Sequence, residues 1–369
     1  MEEWRSVDVD WLTYAETAIY RPVLMRAVSE GIVPDTVTFC KFPKPSLAMN
    51  YFSDPDKEID FDFCRERGIS VCRVISSGGS VLGDTGYFFV FLHLRRNNPK
   101  LPPNAEKMFE KTLTGIAEGL SATFNIHCRF RPLNDIETKC DDGIWRKIGP
   151  SSCFYEEKGI QMASGLQVKA PNLELISGAI RPAPEKFMDK ETKSVRERIT
   201  YLEKAAKKAI DLEEVRRVYI DSIERGFQVA LIPGKLTEKE NAYYNEMERE
   251  YTSEEFLMER SERKFGKVPA DFVRKMIQFK VPQGPFVRIV TYVKEDRIKH
   301  LLISGNLYAS PLRPTSPIHE IEKALEDQPI DMALFKKEIE GILNRPHFNL
   351  AGLSPELLSG KIHECATQQ

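Results

Sequence analysis

Ile19, Val23, Leu24, Met25 and Val28 recur at helical spacing along 16–30, and Gly31 stands where such a helix can stop. This predicts a first helix with one face on a core. The β-branched and aromatic run 36–42, closed by Pro43 and Pro45, predicts a strand. The segment 60–68 reads as a short helix with a glycine stop, and 69–74 as the next strand. After a Gly/Ser cluster the pattern predicts a strand over 87–94, an amphipathic helix over 105–120 and a strand over 124–130. Strands and helices mix without a regular βαβ beat, so the expected fold class is α+β.

The stretch 186–225 is highly charged, with Val195, Ile199, Leu202, Ala206 and Ile210 on one helical stripe, and helices continue from 237 to 260. Along 264–269, Gly266 and Pro269 interrupt a polar stretch, which predicts a hinge. Beyond it, 287–293 and 298–303 are joined by Lys294, Glu295, Asp296 and Arg297, the pattern of a hairpin; helices over 318–325 and 332–343 follow. The expected division is a larger domain over 1–261 and a smaller α+β domain over 262–369, without internal repeats.

Composition narrows the function classes. The 369 residues suit two domains at roughly 150 residues each. With 53 Lys and Arg against 55 Asp and Glu, the net charge of −2 gives no global attraction to nucleic acid or an acidic membrane, so any anion site must be local. The longest apolar run, 87–92, is strand-length, far short of the roughly 20 residues of a membrane helix. The start, Met1-Glu2-Glu3-Trp4-Arg5, is not that of a secretory leader. The seven cysteines form no C-x-x-C pair and read as reduced thiols of a cytoplasmic protein. The six histidines lack zinc-type spacing, so no zinc is expected.

The densest small-residue stretch is 76–86, Ser-Ser-Gly-Gly-Ser-Val-Leu-Gly-Asp-Thr-Gly. Gly78 to Thr85 nearly spells a phosphate-binding P-loop. Asp84, however, stands where that loop needs a lysine, and a strand follows where it needs a helix. An NTPase P-loop is therefore excluded. Two readings stay open: a glycine-rich hairpin connection, or a loop whose backbone N–H groups approach a ligand closely. A second group is Asn134-Asp135, followed by Lys147 entering the small-residue turn Gly149-Pro150-Ser151-Ser152. A lone lysine is usually a surface charge, and an Asn-Asp pair usually an ordinary turn. The combination with the glycine loop is what suggests a site.

Together these segments resemble the lipoate-protein ligase family, within the wider biotin and lipoate ligase group. The resemblance rests on the loop from Arg73 through Ser76, Ser77, Gly78 and Gly79 to Asp84 and Gly86, on Asn134-Asp135, and on Lys147 before its turn. It extends to 33–36, to 194–202 and, in the smaller domain, to 303–307. Departures stand at Val74 where a second arginine is usual, at Ser77 where a glycine is usual, at Gly83 for a histidine and at Tyr87 for an asparagine. Phe154-Tyr155 and 162–165 depart as well.

The resemblance implies a class II synthetase-like biotin/lipoate ligase catalytic domain with a small α+β accessory domain. It implies a reaction in two steps, using ATP and Mg²⁺. Lipoate or a similar medium-chain acid becomes an acyl-adenylate and then passes to a lysine of a lipoyl-type carrier domain, such as a 2-oxoacid dehydrogenase subunit or the glycine cleavage carrier protein. In that scheme Lys147 is catalytic and Arg73, Ser76, Ser77, Gly78, Gly79 and Ser151 bind the acid. Asn134, Asp135 and Asp84 bind the nucleotide, Asp135 also holding the metal; Asp84 equally suits fixing its loop through backbone hydrogen bonds. Two alternatives belong beside it: an octanoyl or lipoyl transferase using Cys153 as nucleophile, or a non-catalytic binding module that kept the fold.

Overall fold

Strand β6 (Tyr87–Arg95) shows how this sequence builds its layers. Phe88, Val90, Leu92 and Leu94 point to one side, into a cluster with Met108, Leu113, Val218 and Tyr219; Tyr87, Phe89 and Phe91 point to the other, against Tyr14 and Ala18. Alternation with a period of two makes both faces apolar, so the strand lies inside a sheet covered on both sides. A computed structural model describes residues 1–132, 134–181, 198–282, 284–313 and 315–368.

β6 is central in an eight-stranded mixed sheet of order β11-β1-β2-β6-β10-β9-β8-β7. The other members are β1 (Glu2–Trp11), β2 (Thr36–Lys41), β7 (Cys128–Arg131), β8 (Asp135–Lys139), β9 (Trp145–Tyr155), β10 (Gly159–Gln167) and β11 (Val229–Gly234). Helix α1 (Tyr14–Ser29) covers one face; α2 (Ala105–Phe124) and α3 (Leu212–Phe227) cover the other. A three-stranded sheet of β3 (Ser46–Asn50), β4 (Ser70–Val74) and β5 (Val81–Gly83), in order β4-β3-β5, lies on the α1 side. Two further helices, α4 (Glu238–Tyr251) and α5 (Glu254–Met258), lead to the accessory region.

The accessory region has an antiparallel sheet of β12 (Val273–Lys280), β13 (Phe286–Lys294) and β14 (Arg297–Gly305), with helices α6 (Pro317–Leu325), α7 (Met332–Leu343) and α8 (Pro355–Thr367). The expected β13–β14 hairpin is present, and its turn places Glu295 and Asp296 at φ of 51° and 53°, as a tight two-residue connection requires. Two short strands, β15 (Ala309–Ser310) and β16 (Asn349–Leu350), close the segment after β14. The apolar core of this region does not stop at the expected break after Ser261: Tyr51, Phe52, Ile75 and Phe154 belong to it together with Ile289, Leu307 and Phe335.

Several expectations need correction. The helical period over 186–225 does not form one helix, for Ile199 is extended and bridges Lys147, a short helix spans Leu202–Ala206, and α3 begins afresh behind Asp211. Asp211 and Glu214 form a capping box there, and this local start outweighs the stripe. Residues 182–197, including Val195, lie outside the described residues. α2 runs four residues beyond its expected end, so Phe124 is its last residue, and left-handed Asn125 at φ 51° turns the chain toward β7. The predicted hinge begins as a 3₁₀ turn over Glu262–Phe265. No helix among the described residues is long and apolar enough to cross a membrane.

Candidate active site

The site begins with an irregularity in β9. Lys147 faces Glu137 and Gly149 faces Ile136, so Ile148 is the extra residue of a bulge that resets the alternation. As a result Lys147, Ser152 and Phe154 turn to the α1 side of the sheet, while Ile148 and Cys153 enter the core under α2 and α3. Ser151 pairs with Ser164, whose hydroxyl meets Tyr219 of α3 at 3.1 Å, so Ser151 also belongs to the far side.

On the α1 side, the Lys147 ammonium is bonded to Asp135 Oδ1, with side chains 25% and 17% exposed. Neither group is in bulk water. Gly149 is a glycine for a reason of packing: a Cβ there would lie 2.5 Å from the carbonyl oxygen of Gly165 in β10. The backbone carbonyl of Lys147 accepts from Thr200 N–H, which ties the chain after the undescribed segment to this strand.

The glycine loop stands over the same face. Gly78 has φ +98°, a conformation open to glycine and strained for other residues. Asn50 Nδ2 donates to the Gly79 carbonyl, Ser76 Oγ donates to Ser152 Oγ at 2.9 Å, and Gly78 N–H donates to Leu307 of the accessory region at 3.3 Å. Two accessory side chains finish the wall: Asn306 Nδ2 lies 3.0 Å from where a Cβ of Gly79 would stand, and the Tyr308 hydroxyl 3.4 Å from that of Gly78. Burial, with the charge of Asp135 beside it, pushes the Tyr308 phenol up to about 12, so it is a neutral donor. Asn306 Oδ1 is buried with no hydrogen-bond partner among the described residues.

The structure thus brings Ser76, Ser77, Gly78, Gly79, Asp135 and Lys147 to one side of the sheet, and removes other expected members. Arg73 is fully buried and gives its donors to the carbonyls of Tyr51, Ser53, Phe256 and Leu257, at 2.6 to 3.2 Å. Its fork is consumed inside the protein, which corrects the expectation that it meets the acid. Arg73→Lys is expected to cost about 3 kcal/mol or more of stability, since several buried carbonyls lose donors at about 1–3 kcal/mol each. Urea denaturation measures this, while acid affinity of the folded variant stays unchanged. Ser151 and Cys153 are corrected by their place beyond the bulge, and burial pushes the Cys153 thiol far up, the reverse of an activated nucleophile. Asp84 accepts from Gly86 N–H at 2.9 Å and so fixes its turn. Asn134 Nδ2 donates to the Ser151 carbonyl, a turn-fixing bond as well.

A resident metal does not fit these residues. Among the described residues no group of three or more His, Cys, Asp or Glu converges, and Asp135 is engaged by the Lys147 ammonium. Mg²⁺ keeps to phosphates and one or two carboxylates, so it would have to arrive with a nucleotide.

Three of the sequence departures, Val74, Gly83 and Tyr87, meet in one place. Val74, Tyr87, Tyr14 and Phe42 share a cluster, and a Cβ on Gly83 would come within 2.9 Å of Tyr14 and 3.1 Å of Phe42. Aromatic rings therefore fill the room that a histidine at 83 would need. Asn50, Asn306 and Tyr308 were missed by sequence reasoning; the only signal was the polar Asn306 after Gly305 at the end of a strand.

A family model for the lipoyl protein ligase A/B catalytic domain matches residues 14–224. Octanoyltransferase LipM of Geobacillus kaustophilus is 24% identical over 277 residues, covering 70% of this chain and 99% of its own. The bi-partite lipoate protein ligase of Thermoplasma acidophilum, solved in a study that includes its E2 lipoyl domain, is 21% identical with a TM-score of 0.61 over 70% of this chain and 97% of that one. LipL1 of P. falciparum, in complex with lipoate, shares 13% identity and a TM-score of 0.69 over 99% of this chain and 100% of its own, so the fold likeness extends through the accessory region. The matched span is more than half of the 369 residues and holds the mixed sheet's centre, the glycine loop and Lys147, and the chain belongs to the lipoyl protein ligase A/B catalytic-domain family.

Proposed function

We propose that this protein attaches a medium-chain acid of the lipoate type to a lysine of a lipoyl-type carrier domain by ATP-dependent activation. The observation that carries this reading is the Lys147 ammonium, held by Asp135 on the sheet face that the glycine loop covers. Activation brings a carboxylate against an α-phosphate, and two anions meet only where a fixed positive charge offsets their repulsion. Lys147 supplies that charge, and the loop's bare backbone at Gly78 and Gly79 leaves room beside it. Asp135 orients the ammonium. The ligase neighbour studied with its E2 lipoyl domain supports a lipoyl-type carrier as partner, and in this reading the carrier belongs to a 2-oxoacid dehydrogenase or the glycine cleavage system. ATP and nucleotide-borne Mg²⁺ are the cosubstrates in this reading, and the seven unpaired cysteines support a cytoplasmic setting.

The LipM relatives favour a second reading, octanoyl transfer from a carrier thioester without ATP. Cys153 does not serve it, because it lies in the core on the opposite sheet face. Cys153→Ala is expected to leave acyl transfer within about twofold, at a stability cost of about 1 kcal/mol for the lost sulfur. A tenfold loss in product formation would restore the thiol mechanism.

The deciding experiment is the intact mass of a lipoyl-type carrier domain after incubation with the protein. One arm holds lipoate or octanoate with ATP and Mg²⁺; the other holds octanoyl-carrier without ATP. An ATP-dependent mass gain is the expected result. A gain only in the second arm replaces ligation by transfer, and no gain in either, with no acid bound in calorimetry, leaves a non-catalytic module.

A further inference from the structure

The glycine pair of the loop is packed against the accessory region. The Asn306 side-chain amide lies 3.0 Å from where a Cβ of Gly79 would stand, and the Tyr308 hydroxyl 3.4 Å from that of Gly78. Leu307, between them in the chain, is buried in the accessory core. The backbone pins this segment. Gly305 N–H donates to Phe52 at 2.8 Å, Asn306 N–H to Phe286 at 3.0 Å and Ala351 N–H to the Tyr308 carbonyl at 2.9 Å, while Leu307 accepts from Gly78 N–H at 3.3 Å. Two polar side chains are therefore held in place against the loop before anything binds.

Neither side chain has a use inside the protein. The Asn306 amide and the Tyr308 hydroxyl make no hydrogen bond among the described residues, although the amide oxygen is buried. A buried polar group without a partner is costly, so its retention calls for a guest. The neighbours indicate which kind. The Tyr308 phenol feels the charge of Asp135, and Asp135 is bonded to Lys147, so the hydroxyl and the ammonium border the same slot. Burial keeps the phenol protonated, and Asn306 Nδ2 is a donor as well. Two neutral donors stand beside the glycine loop without an acceptor, and a carboxylate offers two oxygens.

We propose that Asn306 and Tyr308 are acid-binding residues, whose Nδ2–H and O–H donate to the carboxylate of the medium-chain acid across the slot from Lys147. The inference rests on the activation reading given above, and it makes the accessory region a part of the site. Neutral donors beside Asp135 suit the single charge of a carboxylate better than the several charges of a phosphate chain.

The test titrates octanoate into the whole protein by calorimetry and follows the carrier's mass gain at varied octanoate and at varied ATP. Tyr308→Phe removes one hydroxyl that bonds nothing in the fold, so its melting temperature is expected to match that of the unaltered protein. Its octanoate affinity should fall about tenfold or more, and KM for octanoate should rise in step while KM for ATP stays within about twofold. Asn306→Leu, of similar size, should act in the same direction. Octan-1-ol, which has the chain without the carboxylate, should bind the unaltered protein and both variants alike. Unchanged octanoate affinity in both variants, an equal loss for octanol, or a loss confined to ATP would each overturn the proposal. If octanoate binds through these residues and yet the carrier gains no mass with ATP, the ligation reading falls and the carboxylate contact stands; if the unaltered protein binds no octanoate, both fall.

Discussion

Lys147→Ala is expected to reduce product formation on the carrier domain on the order of 10²-fold or more, with the fold intact. The ammonium lies beside the glycine loop, and the proposed activation brings two anions together there. The Lys147–Asp135 pair is partly exposed, so its loss costs the fold about 1 kcal/mol or less. Circular dichroism and the melting temperature should therefore barely change while the carrier's mass gain disappears. Lys147→Arg tests position against charge: it keeps a cation but moves it, and should recover only a small part of the activity. Full turnover by the alanine variant would remove Lys147 from the chemistry.

The second large effect is expected where the accessory region meets the rest. Arg260, just after α5, bonds Glu322 of α6 through both carboxylate oxygens, and Ile303 N–H donates to the same carboxylate at 2.6 Å. Their side chains are 1% and 8% exposed. Burial alone would push Glu322 up, but the charges of Arg260 and Lys264 outweigh it and hold the carboxyl at about 2. Arg260→Met leaves this carboxylate buried with Lys264 as the cation and the Ile303 N–H as the donor beside it, and is expected to cost about 3–5 kcal/mol.

The pH dependence has a definite sign. A folded pKa below the ordinary 4.5 gives stability that is present above pH 4.5 and is lost as pH falls toward 2. Between pH 7 and pH 3 the pair should lose about 2 kcal/mol, and Glu322→Gln should show an acid loss smaller by that amount. Urea midpoints of both proteins at the two pH values measure it. An equal loss in both would show that Glu322 is not held low by its partners.

Much of the fold was legible because its signals are local. The 16–30 helix pattern carries its stop at Gly31, and Thr13 and Glu16 add a capping box at its start. The β13–β14 hairpin follows from two alternating strands and a polar link. Strands β1, β3, β8, β9, β10, β11 and β12 went unrecognised. β10, for instance, is Gly-Ile-Gln-Met-Ala-Ser-Gly-Leu-Gln, without clear alternation because both of its faces are buried. The candidate site divides the same way. The glycine loop and Lys147 are marked by residue type at short range, whereas the accessory wall of Asn306 and Tyr308 comes from residues more than 200 positions beyond the loop.

What the sequence determined by itself is the family, the α+β class, the Gly78-Gly79 loop and the position of Lys147 before its small-residue turn, since each rests on residue identity over a few neighbouring positions. Only the tertiary structure decided which of the named residues face that lysine. The bulge at Ile148 turned Ser151 and Cys153 to the opposite side, for one extra residue reverses a period of two. Arg73 was drawn inward by backbone carbonyls from segments distant in the chain. Side-chain direction and long-range partners depend on how strands register and helices end against one another, and no short window of residues contains that information.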